Sequence, residues 1–188
     1  MTFEHLAQRA IEQSHALPST LPEPLLPMAW LLGVWRGRGV GGYPGIEGFE
    51  FVQEAVFATD GRPFLHYHSR TARLLPDGTH GELLATESGY LRPAADNGVE
   101  MLLAHPTGYA EVWIGTVTVT GLVDARITGA RMELSTDAVM RTQTAKPYSG
   151  GTRLYGLVNE KLMWVMDMAA GGELASHVSA ELEPVTSL

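Results

Sequence analysis

The stretch Leu31–Ile46, LLGVWRGRGVGGYPGI, places Gly37, Gly39 and Gly42 at G-x-G-x-x-G spacing. A dinucleotide-binding turn of that form must follow a strand and open a helix whose N-terminus takes the pyrophosphate. The chain continues GYPGIEGFEF, so Pro44, Gly45 and Gly48 fall where the helix would run. A proline alone costs about 3 kcal/mol in a helix interior. Phe49, Phe51, Ala55 and Phe57 instead share one phase of an alternating run, with Glu50, Val52 and Glu54 in the other. That is the period of a strand. Glycines within strands mark bends, bulges or close backbone approach. A first strand rich in them predicts a strongly curved sheet, with Gly37, Gly39, Gly41 and Gly42 as its bending points and no catalytic role for the motif.

Outward from this stretch the same grammar repeats. Strand-like runs are expected at about 34–42, 48–58, 63–74, 81–92, 98–105, 109–118, 121–128, 131–142, 152–159, 161–170 and 174–183. Turn signals separate them, among them Asp60-Gly61, Pro76-Asp77-Gly78, Asp96-Asn97-Gly98, Pro106-Thr107-Gly108, Asn159-Glu160 and Gly171-Gly172. Short strands at this spacing form an antiparallel meander, and with no helix to cover a face the sheet closes on itself. The expected fold is all-β: a meander barrel of about ten strands with a short N-terminal helix. Leu6, Ala7, Ala10 and Ile11 recur at helical spacing, so that helix is expected over 3–15. ALPSTLPEPLLP, residues 16–27, reads as an extended lead-in that no helix crosses. The expected division is 1–23 for helix and lead-in and 24–188 for the barrel.

Charge and composition exclude several functions. The 188 residues carry a formal charge of −8, whereas a nucleic-acid binder needs a basic face. No apolar run reaches the ~18 residues of a membrane span. The first residues, MTFEHLAQRAIEQSH, lack the apolar segment of a secretory signal, so a cytoplasmic location is expected. There is no cysteine, hence no disulfide, thiolate chemistry or Cys-ligated metal. A ten-stranded barrel is wider than the ~8 strands whose interiors side chains just fill, so a ligand cavity is expected. In KLMWVMDMAA, Leu162, Trp164, Met166 and Met168 share a phase that suits a wall against a flat apolar ligand.

The seven histidines are the main candidates for chemistry. His66 and His68, in HYH, point the same way on a strand and could share a metal, yet no carboxylate follows at the spacing a jelly-roll metal site uses. Glu87 and Glu111 are candidate paired acids that nothing in the sequence brings together. No G-x-S-x-G elbow occurs. His177, in ELASHVSAEL, shares its phase with Ser179 and Glu181, which makes it a polar-face residue by alternation. Lys146 opens a turn in TAKPYSGG.

Taken in order, GVWRGRGVGGYPGI, GRPFLHYHSRT, ESGYLRP, LAHPTGYAEV, TAK and SHVSAEL resemble the nitrobindins over about residues 24–183. The resemblance implies a ten-stranded barrel holding haem b near one open end. It implies that His177 ligates the iron, that Lys146 lies beside the haem, and that Trp35 plugs the base. It implies a ferric haem that isomerises peroxynitrite to nitrate, by O–O cleavage and recombination at nitrogen without an acid or base residue, and that binds nitric oxide. These small molecules are the expected partners, together with a second copy in a homodimer. Two positions depart from the family: its Tyr-Pro-Thr-Ile threonine is Gly45 here, and its distal histidine aligns with Ala85. The sixth iron position is then expected to lack a protein ligand, with His66 and His68 the nearest histidines. A non-enzymatic nitric oxide carrier or sensor, and a haem-free barrel for a lipid or other apolar molecule, stay open as alternatives.

Overall fold

The computed structural model describes residues 3–15, 21–43, 45–169 and 172–187. Among these the chain forms helix α1 (Phe3–His15), a 3-10 helix (Glu23–Leu31) and ten strands. The strands are β1 (Gly33–Tyr43), β2 (Ile46–Ala58), β3 (Leu65–Leu74), β4 (His80–Pro93), β5 (Gly98–His105), β6 (Tyr109–Val123), β7 (Arg126–Arg141), β8 (Gly150–Val158), β9 (Lys161–Ala169) and β10 (Ala175–Pro184). Each pairs antiparallel with its sequence neighbours, and β1 pairs with β10, from Trp35↔Pro184 to Gly41↔Val178, to close the barrel. Closure leaves no free edge for another chain to pair with. No helix is long and apolar enough to cross a membrane among the described residues.

Two expectations are corrected. The run at 121–128 is not a separate strand. β6 and β7 are one long hairpin that reverses at Asp124-Ala125, with φ of 47° and 62°. Two successive residues at positive φ make the turn whose twist suits a hairpin, but alanine rarely adopts it, so nothing in the local sequence announces the reversal. The lead-in is the second. Residues 16–20 lie outside the described residues, but Glu23–Leu31 is a 3-10 helix that crosses Pro24 and Pro27. Burial outweighs propensity there, since Leu25, Met28, Trp30 and Leu31 all enter the core. Of the three roles expected for the β1 glycines, close approach is visible directly. A Cβ on Gly39 would lie 2.3 Å from the Phe51 ring, and one on Gly41 would lie 2.4 Å from the Phe49 ring. At these two positions glycine serves close approach: aromatic rings from β2 lie across bare backbone.

Helix α1 packs outside the barrel. Ala7, Ala10 and Ile11 bury against Val34, Val56 and Ala58, the outward residues of β1 and β2. Gln13 clamps the end of β2, donating Nε2–H to the Thr59 carbonyl at 2.7 Å and accepting the Thr59 N–H at 3.0 Å.

Candidate functional site at the barrel mouth

Strand direction alternates, so the connections β1–β2, β3–β4, β5–β6, β7–β8 and β9–β10 all emerge at one end. The 3-10 helix closes the other. Trp35 is buried there, its Nε1–H donated to the Leu31 carbonyl at 2.8 Å, as a base plug requires. The interior holds fully buried Trp113, Phe57, Leu65, Leu91, Met101, Met132, Leu162 and Leu182. Phe49, Leu84, Tyr148, Met168 and Val178 pack against this core but are only partly buried. The expected β9 wall is present: Leu162, Trp164 and Met166 are buried, while Met163 and Val165 face out.

His177 escapes its expected face through a bulge. Val178, Ala180 and Leu182 of β10 stand opposite interior Met166, Trp164 and Leu162. Unbroken alternation would then turn His177 outward with Ser179. The pairing shifts here instead: Ser176 faces Asp167 and Val178 faces Met166, so His177 is an extra residue without an opposite number on β9. Beyond it Ala175 faces Met168, so the inward parity of β10 changes at His177. A bulge re-aims a side chain in this way. The half-buried ring donates Nδ1–H to the Gly42 carbonyl at 3.0 Å, and the Tyr43 ring stands edge-on at 6.2 Å. Gly42 itself lies within a register shift between β1 and β2. With Nδ1 engaged, the neutral imidazole keeps its lone pair on Nε2 and its orientation is fixed. That is how protein structures prepare a histidine for a metal.

The ring order sets β4 and β5 across the barrel from β10. Ala85 lies on β4, its backbone N–H bonded to the Thr71 hydroxyl at 3.1 Å, with no side-chain donor to offer. Gly45 sits in the β1–β2 turn at φ +88°, where a β-branched threonine would be strained. His66 and His68 are outward, alternating with interior Leu65, Tyr67 and Ser69. They bond Asp60 at 3.2 Å and Ser88 at 2.9 Å. They are not the histidines to watch. The one on the wall facing β10 is His105, and its Nε2 is held by Glu111 at 2.6 Å. No group of three or more metal-ligating side chains occurs among the described residues.

Beneath the mouth lies a charged cluster that the sequence leaves unassembled. Arg153, with a side chain 1% exposed, forks onto Glu87 with bonds of 2.6 and 3.0 Å. Tyr67 donates its hydroxyl to the same carboxylate at 2.9 Å. The guanidinium stands over the Trp113 ring, 4.7 Å from its centroid. His105 stands between the two acids: its Nε2 meets Glu111 at 2.6 Å, while its Nδ1 lies 4.0 Å from Glu87, beyond hydrogen-bond range. Burial pushes the Glu87 carboxyl up, but the charge and hydrogen bond of Arg153, with His105 and Tyr67, together override it and hold the group at about 2. Burial likewise opposes ionisation of Glu111, but the His105 hydrogen bond, the Arg153 charge and Tyr148 together outweigh it and lower its pKa. The available signal is phase: Arg153 and Tyr155, and Glu111 and Trp113, share parity, which puts charged residues on apolar faces.

Lys146 is exposed on the β7–β8 loop, where its backbone carbonyl accepts the Tyr109 hydroxyl at 2.8 Å. Its ammonium has no carboxylate partner among the described residues.

A closed barrel with apolar side chains at its mouth, an imidazole oriented through its Nδ1 and an exposed lysine has the features that a flat, largely apolar cofactor with a metal and an anionic edge would call for. Haem fits each of those features. The chain belongs to the THAP4-like, heme-binding beta-barrel domain family, whose model matches residues 24–183. Among its relatives is a peroxynitrite isomerase of Nocardioides sp., 47% identical, covering 88% of this chain and 96% of the relative. Another is a ferric nitrobindin-like protein of Streptomyces griseus, 43% identical, covering 91% of this chain and 86% of the relative. The crystal structure of Rv2717c from M. tuberculosis superposes with a TM-score of 0.79 at 37% identity, covering 88% of this chain and 99% of that one.

Proposed function

We propose that this protein binds haem b through His177 and isomerises peroxynitrite to nitrate at the ferric iron, and that the same site takes up nitric oxide. The observation that carries the reading is the His177 ring, re-aimed by its bulge and locked through Nδ1 to the Gly42 carbonyl. Relatives named as peroxynitrite isomerases, 44–47% identical, support the reaction. The bound haem iron supplies the chemistry at the peroxo oxygen.

The chain's own residues do the rest. His177 would hold the iron through Nε2, and the Gly42 carbonyl keeps the ring from rotating. Phe49, Met168 and Val178 would supply apolar contact to the bound group at the mouth and limit the access of water to it. Lys146 places a positive charge where a propionate of the cofactor can meet it. Ala85 leaves the wall opposite β10 without a side-chain donor, so a small ligand would find that place open. His105 does not compete for it while Glu111 holds its Nε2.

The test is a visible-absorption titration of the protein with ferric haem, followed by stopped-flow decay of peroxynitrite. Saturable uptake with a five-coordinate histidine spectrum and catalytic conversion to nitrate is the expected result. Stoichiometric ligand binding without turnover would leave a nitric oxide carrier, and no haem uptake would refute the reading.

A further inference from the structure

Two segments far apart in sequence, the β5–β6 turn (106–108) and the β7–β8 loop (142–149), are interlocked at the mouth. The Thr142 N–H donates to the Gly108 carbonyl at 2.9 Å, and the Ala145 N–H donates to the Thr142 carbonyl at 3.2 Å. Gly108 sits at φ +96°, and a Cβ there would lie 2.4 Å from the Thr142 hydroxyl, so the approach itself demands glycine. Ala145 is buried beneath the loop, and Arg141 donates to its carbonyl at 3.2 Å. The next residue is Lys146, and it is tied to the barrel by the Tyr109 hydroxyl at 2.8 Å.

Tyr109 is well placed to act as an anchor. It is the first residue of β6, paired with His105 on one side and Arg141 on the other. Its ring stands edge-on to Tyr148 at 5.6 Å and to His105 at 6.1 Å. His105 is in turn pinned by the buried Glu111. The hydroxyl therefore projects from a ring packed on both sides. It acts on the Lys146 backbone alone and leaves the ammonium uncommitted. A loop lysine otherwise carries rotamer and backbone freedom that binding must remove, and fixing its backbone removes the second part in advance.

We propose that Tyr109 is a positioning residue: by donating its hydroxyl to the Lys146 carbonyl it holds the β7–β8 loop against the barrel wall and delivers the Lys146 ammonium to the anionic edge of the cofactor. This rests on the haem reading above. Tyr109→Phe keeps the ring and removes only the hydrogen bond. In the haem-free protein, amide exchange over 143–149 should quicken while exchange in β6 and β7 is unchanged. In the haem-loaded protein, transfer to an excess of apo-globin should quicken about three- to tenfold, the size of one lost hydrogen bond. Lys146→Met should do the same, and Tyr109→Phe/Lys146→Met should lose haem no faster than Lys146→Met alone, because the tyrosine acts only through the lysine. A general structural role would instead multiply the two effects, which overturns the proposal. Unchanged loop exchange with normal haem uptake also overturns the Tyr109 assignment and leaves the haem reading standing. Failure of the wild type to take up haem overturns both the haem reading and delivery to a cofactor.

Discussion

Glu87→Gln is the substitution whose cost follows most directly from the structure. It keeps the size and one acceptor but removes the charge that Arg153 is built around. The Arg153 side chain is 1% exposed and Glu87 14%, so the guanidinium would be left in the interior without its carboxylate. Breaking one side of a buried pair costs about 3–5 kcal/mol. The titration of Glu87 gives a similar figure: a carboxyl held at about 2 against an ordinary 4.5 corresponds to about 3 kcal/mol. The two figures describe the same interaction and do not add. Because the folded pKa is the lower one, this stabilisation is complete above pH 4.5 and is lost as pH falls toward 2. Glu87→Gln should therefore lower the thermal midpoint at pH 7 by about 6–20 °C, at the 2–4 °C per kcal/mol of a domain this size. It should also flatten the loss of stability between pH 4.5 and 2. Replacing both partners, Glu87→Leu/Arg153→Met, should recover most of the loss, since removing a buried pair outright is often neutral. Thermal and chemical denaturation followed by circular dichroism at pH 7 and at pH 3 measure all three. A Glu87→Gln protein within about 1 kcal/mol of wild type at pH 7 would refute the electrostatic account of this cluster.

Three further outcomes are expected. His177→Ala should fold normally, within about 1 kcal/mol on β-propensity scales, yet lose the five-coordinate histidine spectrum, with added imidazole restoring part of it; an unchanged spectrum would point to another axial ligand, and His105 is the histidine to examine next. Lys146→Met should speed haem loss several-fold without altering that spectrum, as removal of one exposed ion-pair partner predicts, and an unchanged rate would remove Lys146 from the site. Gly39→Ala should destabilise the barrel by about 1–3 kcal/mol, because its Cβ would overlap the Phe51 ring and approach the Ser179 carbonyl within 2.4 Å; a wild-type denaturation midpoint would show that β1 shifts to accommodate it.

Much of the architecture is local and so is legible in the chain. Alternation at Phe49–Phe57 and Leu162–Met168 belongs to the period of a strand, and Asp96, Asn97 and Asn159 are residues that accept positive φ. These features depend on neighbours two residues away, and the meander follows once each strand turns back on the last. The local sequence is silent where pairing overrides preference: the Asp124-Ala125 turn exists because β6 and β7 zip together on either side of it. The same holds for Glu23–Leu31, which is helical across its prolines because the barrel end buries it. The candidate site divides in the same way. Lys146 and His177 are reached through ordered resemblance, but alternation alone faces His177 outward. Only the register between β9 and β10 shows the extra residue that turns it, and register depends on how ten strands close. Arg153 and Glu87 lie 66 residues apart on β8 and β4, and no periodicity within either strand specifies what stands across the interior. Strand identity is settled by short-range sterics and side-chain phase; the partners of an inward side chain are settled by closure, which is a property of the whole chain.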